Sequence, residues 1–222
     1  MVSVKTFIFN PFEERCSVLW DEASEAVIVD PGCYDKAETA RLTDFISAKK
    51  LHPSAIWLTH AHHDHIFGVK TLSELYGIPV YMSPIDKPTL ELSGAMASRF
   101  GLMEPLSDFP TEDIADGDEV CVGKVPFKVI GTPGHTPGGV CYYSESEKLL
   151  LSGDTLFRGS IGRSDLPGGD YDHLIVSVMD KLMGLPGDTE VIPGHGNNTD
   201  ISTERTHNPF LQPWGNPDED FV

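Results

Sequence analysis

Residues 60–65 read His-Ala-His-His-Asp-His, so four of the chain's nine histidines and one aspartate fall within six positions. Protonated imidazoles this close repel one another below about pH 6.5, and a solvated loop gains nothing from the crowding. A divalent metal removes the repulsion, because neutral imidazole nitrogens and carboxylate oxygens are the usual donors to zinc. Three further stretches have one design in common: an apolar, strand-like run ends in a glycine-containing turn that carries a potential ligand. They are FKVIGTPGHTPGG with His135, LLLSGDTLF with Asp154 and EVIPGHGNN with His195.

Glycine and proline let a backbone turn sharply and come close to a site, so each of these ligands is expected at a strand end. Strand ends along one edge of a sheet can converge although their residues are far apart in sequence. The inventory is then His60, His62, Asp64, His65, His135, Asp154 and His195. Seven donors are too many for one tetrahedral zinc. They suit two divalent ions, each with three terminal ligands, sharing one carboxylate and one water. Zinc is the expected metal, with iron and manganese able to use the same mixed nitrogen and oxygen donors.

The elements that must position these residues are readable from periodicity and turn residues. Strands are expected over 4–9, 16–20 and 25–30, followed by a helix over 36–50 with Pro53 shortly after it. Strand 55–59 leads into the histidine cluster, and a helix over 65–76 ends at Gly77. A short strand at 79–82 and a helix within 84–100 follow. The later half is expected to hold strands at 118–122, 125–130, 139–144 and 148–152, a helix at 170–183, a strand at 190–193 and a last helix at 201–208. A β-meander followed by βα units occurs twice, which predicts layered α/β sheets within one domain spanning 1–222.

Composition narrows the function. Sixteen Lys plus Arg against 34 Asp plus Glu give a formal charge of −18, which opposes nonspecific attraction to nucleic acid or anionic membranes. Cys16, Cys33, Cys121 and Cys141 are widely spaced with no C-x-x-C pair, as expected of reduced structural thiols. The start MVSVKTFIFNPFEER has too short an apolar run for a signal peptide, and no run reaches the roughly 18 apolar residues of a membrane span. A soluble, cytoplasmic protein acting on a small molecule is the expectation, with no nucleic-acid or membrane partner.

Together, H-A-H-H-D-H at 60–65 with His135, Asp154 and His195 at these intervals resembles the metallo-β-lactamase superfamily across nearly the whole chain. GDTLFRGSIGRSDLPGGD at 153–170 is similar to the corresponding loop of the glyoxalase II-like branch, including its short single-domain members. The resemblance implies an α/β fold, an αββα sandwich with the metals at one edge between the two sheets. It implies His60, His62 and His135 on the first ion, Asp64, His65 and His195 on the second, and Asp154 between them. His63 occupies the variable position of the motif and is expected outside the ligand set; His52, His173 and His207 lack motif support.

No G-x-S-x-G nucleophile elbow is present, so water is the expected nucleophile, supplied as hydroxide between two cations that lower its pKa to roughly 7 or below. Asp64 is expected both to ligate and to orient that hydroxide. The resemblance implies cleavage of a thioester such as S-lactoylglutathione, with Arg163 in the place of a basic residue that binds the glutathione part in glyoxalase II. Asp165 stands where that family has a tyrosine, and only residues 196–222 follow His195, whereas full-length glyoxalase II carries a C-terminal helical domain with further glutathione contacts. Rival expectations are a persulfide dioxygenase-like enzyme with one iron on His60, His135 and Asp154, and a lactone or β-lactam hydrolase of the same fold. A non-catalytic metal-binding scaffold is a further alternative, disfavoured because structural zinc is usually saturated by four protein ligands.

Overall fold

A computed structural model describes residues 1–96, 99, 101 and 106–212. Two apolar faces on the same strands explain its layering. In β3 (Glu25–Val29), Ala26 and Ile28 join one core while Val27 and Val29 join another, so the strand reads as an unbroken apolar run buried on both sides. The neighbouring β4 (His52–Trp57) behaves alike, with Ile56 on one side and Ala55 and Trp57 on the other.

These strands are central to a six-stranded mixed sheet in the order β1 (Ser3–Phe9), β2 (Glu14–Trp20), β3, β4, β5 (Val80–Met82), β6 (Glu112–Asp113). The first three form the antiparallel meander, and β3 to β6 pair in parallel. The second sheet runs β14 (Thr199–Asp200), β13 (Glu190–Pro193), β10 (Leu149–Gly153), β9 (Val140–Ser144), β8 (Val125–Gly131), β7 (Glu119–Val122), and only β10 and β13 pair in parallel. A small hairpin, β11 (Leu156–Phe157) with β12 (Ser160–Ile161), follows β10.

Three apolar layers hold the sandwich together. Leu19, Val27, Val29 and Trp57 of the first sheet meet Phe127, Val129, Tyr142 and Leu151 of the second in the middle. On the outer face of the first sheet, α1 (Lys36–Lys49) buries Leu42 and Ile46 and α3 (Val69–Tyr76) buries Leu72. Outside the second, α5 (Tyr171–Val176) with the π-helical turn 177–182 and α6 (Ile201–His207) bury Leu174, Val178, Leu182 and Ile201. The architecture is therefore α/β/β/α. At this burial, truncating Leu42 to alanine costs about 2–5 kcal/mol.

Two sequence expectations change in detail. The helix expected over 65–76 is two helices, α2 (His63–Ile66) and α3, separated at Phe67–Gly68. Gly68 donates its N–H to Pro31 O at 2.8 Å, and a Cβ there would meet the same oxygen at 2.9 Å, so the chain bends where it crosses the Pro31 turn. Within 84–100, a 3-10 turn at Pro84–Asp86 precedes α4 (Lys87–Ala95), and part of that span lies outside the described residues. No helix of the described residues is long and apolar enough to cross a membrane.

Candidate metal centre

The loops that leave β4, β8, β10 and β13 meet at one edge between the sheets, and with them the seven side chains singled out by spacing. One donor atom from each of His60, His62 and His135 lies within 4.8 Å of the others, and the same holds for Asp64, His65 and His195. Asp154 sits between the two groups: its Oδ1 is 3.5 Å from His65 Nε2, and its Oδ2 is 3.5 Å from His135 Nε2 and 3.6 Å from His195 Nε2. The rings of His60 and His65, one from each group, are only 4.1 Å apart.

Hydrogen bonds on the far side of the imidazoles fix which nitrogen faces inward. His135 Nδ1 donates to Arg163 O at 2.7 Å and His195 Nδ1 to Phe12 O at 3.0 Å, since a carbonyl can only accept. His65 Nδ1 donates to Asp30 Oδ2 at 3.1 Å. The Thr59 hydroxyl gives its proton to Asp30 Oδ2 at 2.6 Å and so accepts from His60 Nδ1 at 3.0 Å. Four imidazoles therefore present Nε2 to the cavity. His62 is the exception, presenting Nδ1, which lies 2.9 Å from His135 Nε2 and donates to it. The lone pair that accepts this bond is the one a metal would take.

The donor set fits divalent ions. Among the described residues, His60 Nε2, His65 Nε2 and Asp154 Oδ1 are buried with no hydrogen-bond partner, the condition expected of metal ligands and costly otherwise. Asp30 also approaches His60 and His65 closely. Its oxygens, however, lie on the Nδ1 side and accept from Thr59 and His65, so it orients ligands instead of joining them.

The two groups differ electrically. Burial holds the pKa of His60 well below the imidazole range, with the neighbouring imidazoles of His65, His135 and His62 adding to the effect. Burial, with His135 beside it, pushes His62 down to about 3. Burial also opposes charge on His65, but the carboxylates of Asp154 and Asp64 outweigh it and raise this pKa well above the usual value. His195 is raised too: burial is outweighed by its hydrogen bond with Asp64 and by the Asp154 charge. Asp64 and Asp154 are correspondingly lowered, the charge on His65 overcoming their burial.

Sequence reasoning did not single out several residues that hold this centre. Asp30 and Thr59 orient His65 and His60 as described. Asp86, fully buried, accepts from the N–H of Ala61, between His60 and His62, and from that of Gly138, three residues past His135. Asn10 donates to the carbonyls of Gly32 and Asp64, both at 2.9 Å. Glu14 is also completely buried, and burial raises its carboxyl pKa well above the usual range. No local motif marks any of them; Asp30 had only its place at the end of an expected strand.

The remaining candidates are peripheral. Arg163 lends its carbonyl to His135, while its guanidinium makes a two-pronged pair with Asp165, Nε–Oδ1 and Nη2–Oδ2 both at 2.8 Å. His63 is half-buried outside both groups, its ring 5.0 Å from that of Phe12. His52, His173 and His207 are exposed and belong to neither group.

Residues 10–195 match the family model described as the metallo-beta-lactamase superfamily. The chain is 43% identical to an uncharacterized protein of Aquifex aeolicus (strain VF5), over 93% of this chain and 96% of that one. It is 40% identical to the probable metallo-hydrolase YqgX of Bacillus subtilis (strain 168), over 84% and 87%. It is 36% identical to the hydroxyacylglutathione hydrolase GloC of Haemophilus influenzae (strain ATCC 51907 / DSM 11121 / KW20 / Rd), over 95% and 98%. Among solved structures, the BLEG-1 B3 metallo-beta-lactamase superposes with a TM-score of 0.84 at 39% identity, covering 95% of this chain and 100% of that one. TTHA1623 in a di-iron-bound form gives 0.83 at 37%, covering 93% and 100%. ETHE1 from Myxococcus xanthus gives 0.76 at 27%, covering 93% and 83%. The chain belongs to the metallo-beta-lactamase superfamily.

Proposed function

We propose that this member of the metallo-beta-lactamase superfamily is a binuclear metal-dependent hydrolase that cleaves a thioester such as S-lactoylglutathione. The observation that carries the reading is the convergence of seven donors into two groups with one carboxylate, Asp154, within 3.6 Å of both. His60, His62 and His135 are assigned to the first ion, Asp64, His65 and His195 to the second, and Asp154 to both. Bound there, zinc or another divalent metal supplies hydroxide at neutral pH and polarises the carbonyl under attack.

The chain's own residues supply orientation and charge. Arg163 O, Phe12 O, Asp30 and Thr59 hold four imidazoles with Nε2 inward, which spares the site reorganisation during turnover. Asp64, whose Oδ2 is 3.3 Å from His195 Nε2, has a second oxygen to orient the attacking hydroxide. A thiolate leaves readily, so no strong general acid is needed on the opposite side. The thioester part of the reading is supported by the 36% identity to GloC, which this chain covers over 98% of its length. Arg163 would bind a glutathione carboxylate after exchanging it for that of Asp165.

A second reading, iron-dependent persulfide oxidation at His60, His135 and Asp154, draws support from two observations. His135 and Asp154 approach to 3.5 Å, and a 37% identical protein binds iron, although as a pair of ions instead of one. Initial rates of S-lactoylglutathione hydrolysis by zinc-loaded protein, with a folded His60→Ala variant beside it, test the first reading. Thioester loss that vanishes in the variant is expected. Absence of hydrolysis in the zinc-loaded protein, with oxygen uptake on a persulfide by iron-loaded protein, would replace it with the second.

A further inference from the structure

Two side chains outside the ligand set each join ligand-bearing segments that are distant in sequence. Asn10 lies in a turn with φ of +53°, and its amide donates to the carbonyl of Asp64 and to that of Gly32. Its Oδ1 accepts from Phe12 N at 3.0 Å, and Phe12 O in turn accepts from His195 Nδ1. One turn thus holds Asp64 from the first half of the sandwich and His195 from the second. It does so through a close approach that a side chain would block: a Cβ on Gly32 would meet Asp64 O and Glu14 Oε2 at 2.2 Å and Asn10 Nδ2 at 2.8 Å.

Asp86 does the equivalent for the other group. Its Oδ2 accepts from Ala61 N at 2.7 Å, between His60 and His62. Its Oδ1 accepts from Gly138 N at 3.0 Å, in the turn that carries His135, and from the Thr89 hydroxyl at 3.0 Å. Here too a glycine permits the approach, since a Cβ on Gly138 would lie 2.4 Å from Asp86 N. Neither clamp touches the other's ligands in these contacts.

We infer that the two metal sites are positioned by separate clamps, the Asn10 turn for Asp64 and His195 and Asp86 for His60, His62 and His135, so that each affinity is set independently. The inference rests on the two-ion reading above. Asn10 and Asp86 are positioning residues. Asn10→Gly keeps the left-handed turn and removes all three side-chain bonds. Asp86→Asn keeps the volume but turns an NH2 group toward one of two N–H donors.

The test is a cobalt titration of the metal-free full chain, reading stoichiometry by elemental analysis and d–d absorption, with His60→Ala and His195→Ala as spectral references for loss of one site. Wild type is expected to bind two ions. Asn10→Gly is expected to lose about 10–100-fold in affinity at one site only, its one-equivalent spectrum matching that of His195→Ala. Asp86→Asn is expected to show the reverse, matching His60→Ala. Thermal melts of the metal-free proteins confirm folding; if either variant does not fold, Asn10→Asp and Asp86→Glu, which keep a polar group in place, carry the same comparison. Equal weakening of both sites in each variant, or unchanged binding in both, overturns the separate clamps. Fewer than two ions in wild type overturns the two-ion reading instead.

Discussion

The imidazole group of His60, His62 and His135 and the carboxylate-bearing group of Asp64, His65 and His195 lie side by side but are kept together in opposite ways. In the first, burial and mutual repulsion keep His60 and His62 neutral, and the N–H that His62 donates covers the inward lone pair of His135. In the second, two carboxylates hold His65 and His195 toward their charged forms, so ion pairs assemble the group without metal. A metal entering the first site displaces a neutral hydrogen bond. Entering the second, it displaces protons. The pair teaches that equal numbers of donors need not respond alike to acid or to a lost ligand.

The largest effect is expected where the comparison collapses. Asp154 contacts both groups, so Asp154→Ala should impair both sites and lower kcat by roughly 10³-fold, several kcal/mol of transition-state stabilisation. Metal content and steady-state rates check this; a variant that keeps two tightly bound ions and near-normal turnover would contradict the bridging position. Next in size, His62→Ala and His195→Ala should each remove one ion and leave the other, which elemental analysis after dialysis against limiting metal reads directly.

Acid should separate the groups in the metal-free protein. The folded-state pKa of His62, about 3, lies below its unfolded value near 6.5, so its neutral burial destabilises the fold as pH falls below 6.5. The loss grows by roughly 1.4 kcal/mol per pH unit while only the unfolded chain takes the proton. His62→Gln should remove that loss. His195 has the opposite sign: its raised pKa contributes stability that is present below about 6.5 and fades as pH rises through the folded value. His195→Gln should therefore destabilise more at pH 6 than at pH 8. Melting temperatures of chelator-treated variants from pH 5 to 8 measure both, and parallel slopes would remove the electrical distinction between the groups.

The smallest effect concerns the rim. Arg163 and Asp165 are exposed and already paired, so their exchange with substrate is close to balanced. Arg163→Ala should raise KM for a glutathione thioester about tenfold or less with kcat unchanged, and Asp165→Asn should lower it. A neutral thioester should show neither change. If neither thioester responds, Arg163 acts only through its backbone bond to His135, which the substitution leaves in place.

Much of this was legible in the chain because its signals are local. The unbroken apolar runs of 26–29 and 149–151 and the Gly77 stop each report a strand or helix directly, and every expected strand has a counterpart. The ligand stretches were legible because histidine density and glycine turns are unusual in themselves. The bend at Gly68 was not, since it answers to Pro31 across the fold. The hairpin β11–β12 and the two-residue strands β6 and β14 are too short for any periodicity. Asn10, Asp30 and Asp86 carry no motif of their own, and only the folded chain brings them beneath ligand-bearing segments from 25 to 54 positions away.

The most direct test of the account is a zinc-bound crystal structure with anomalous data at the zinc edge. Two peaks are predicted between the sheets. One should be ligated by His60 Nε2, His62 Nδ1 and His135 Nε2, the other by Asp64, His65 Nε2 and His195 Nε2, with Asp154 reaching both. A single peak on His60, His135 and Asp154, with His62 and His195 turned away, would contradict it.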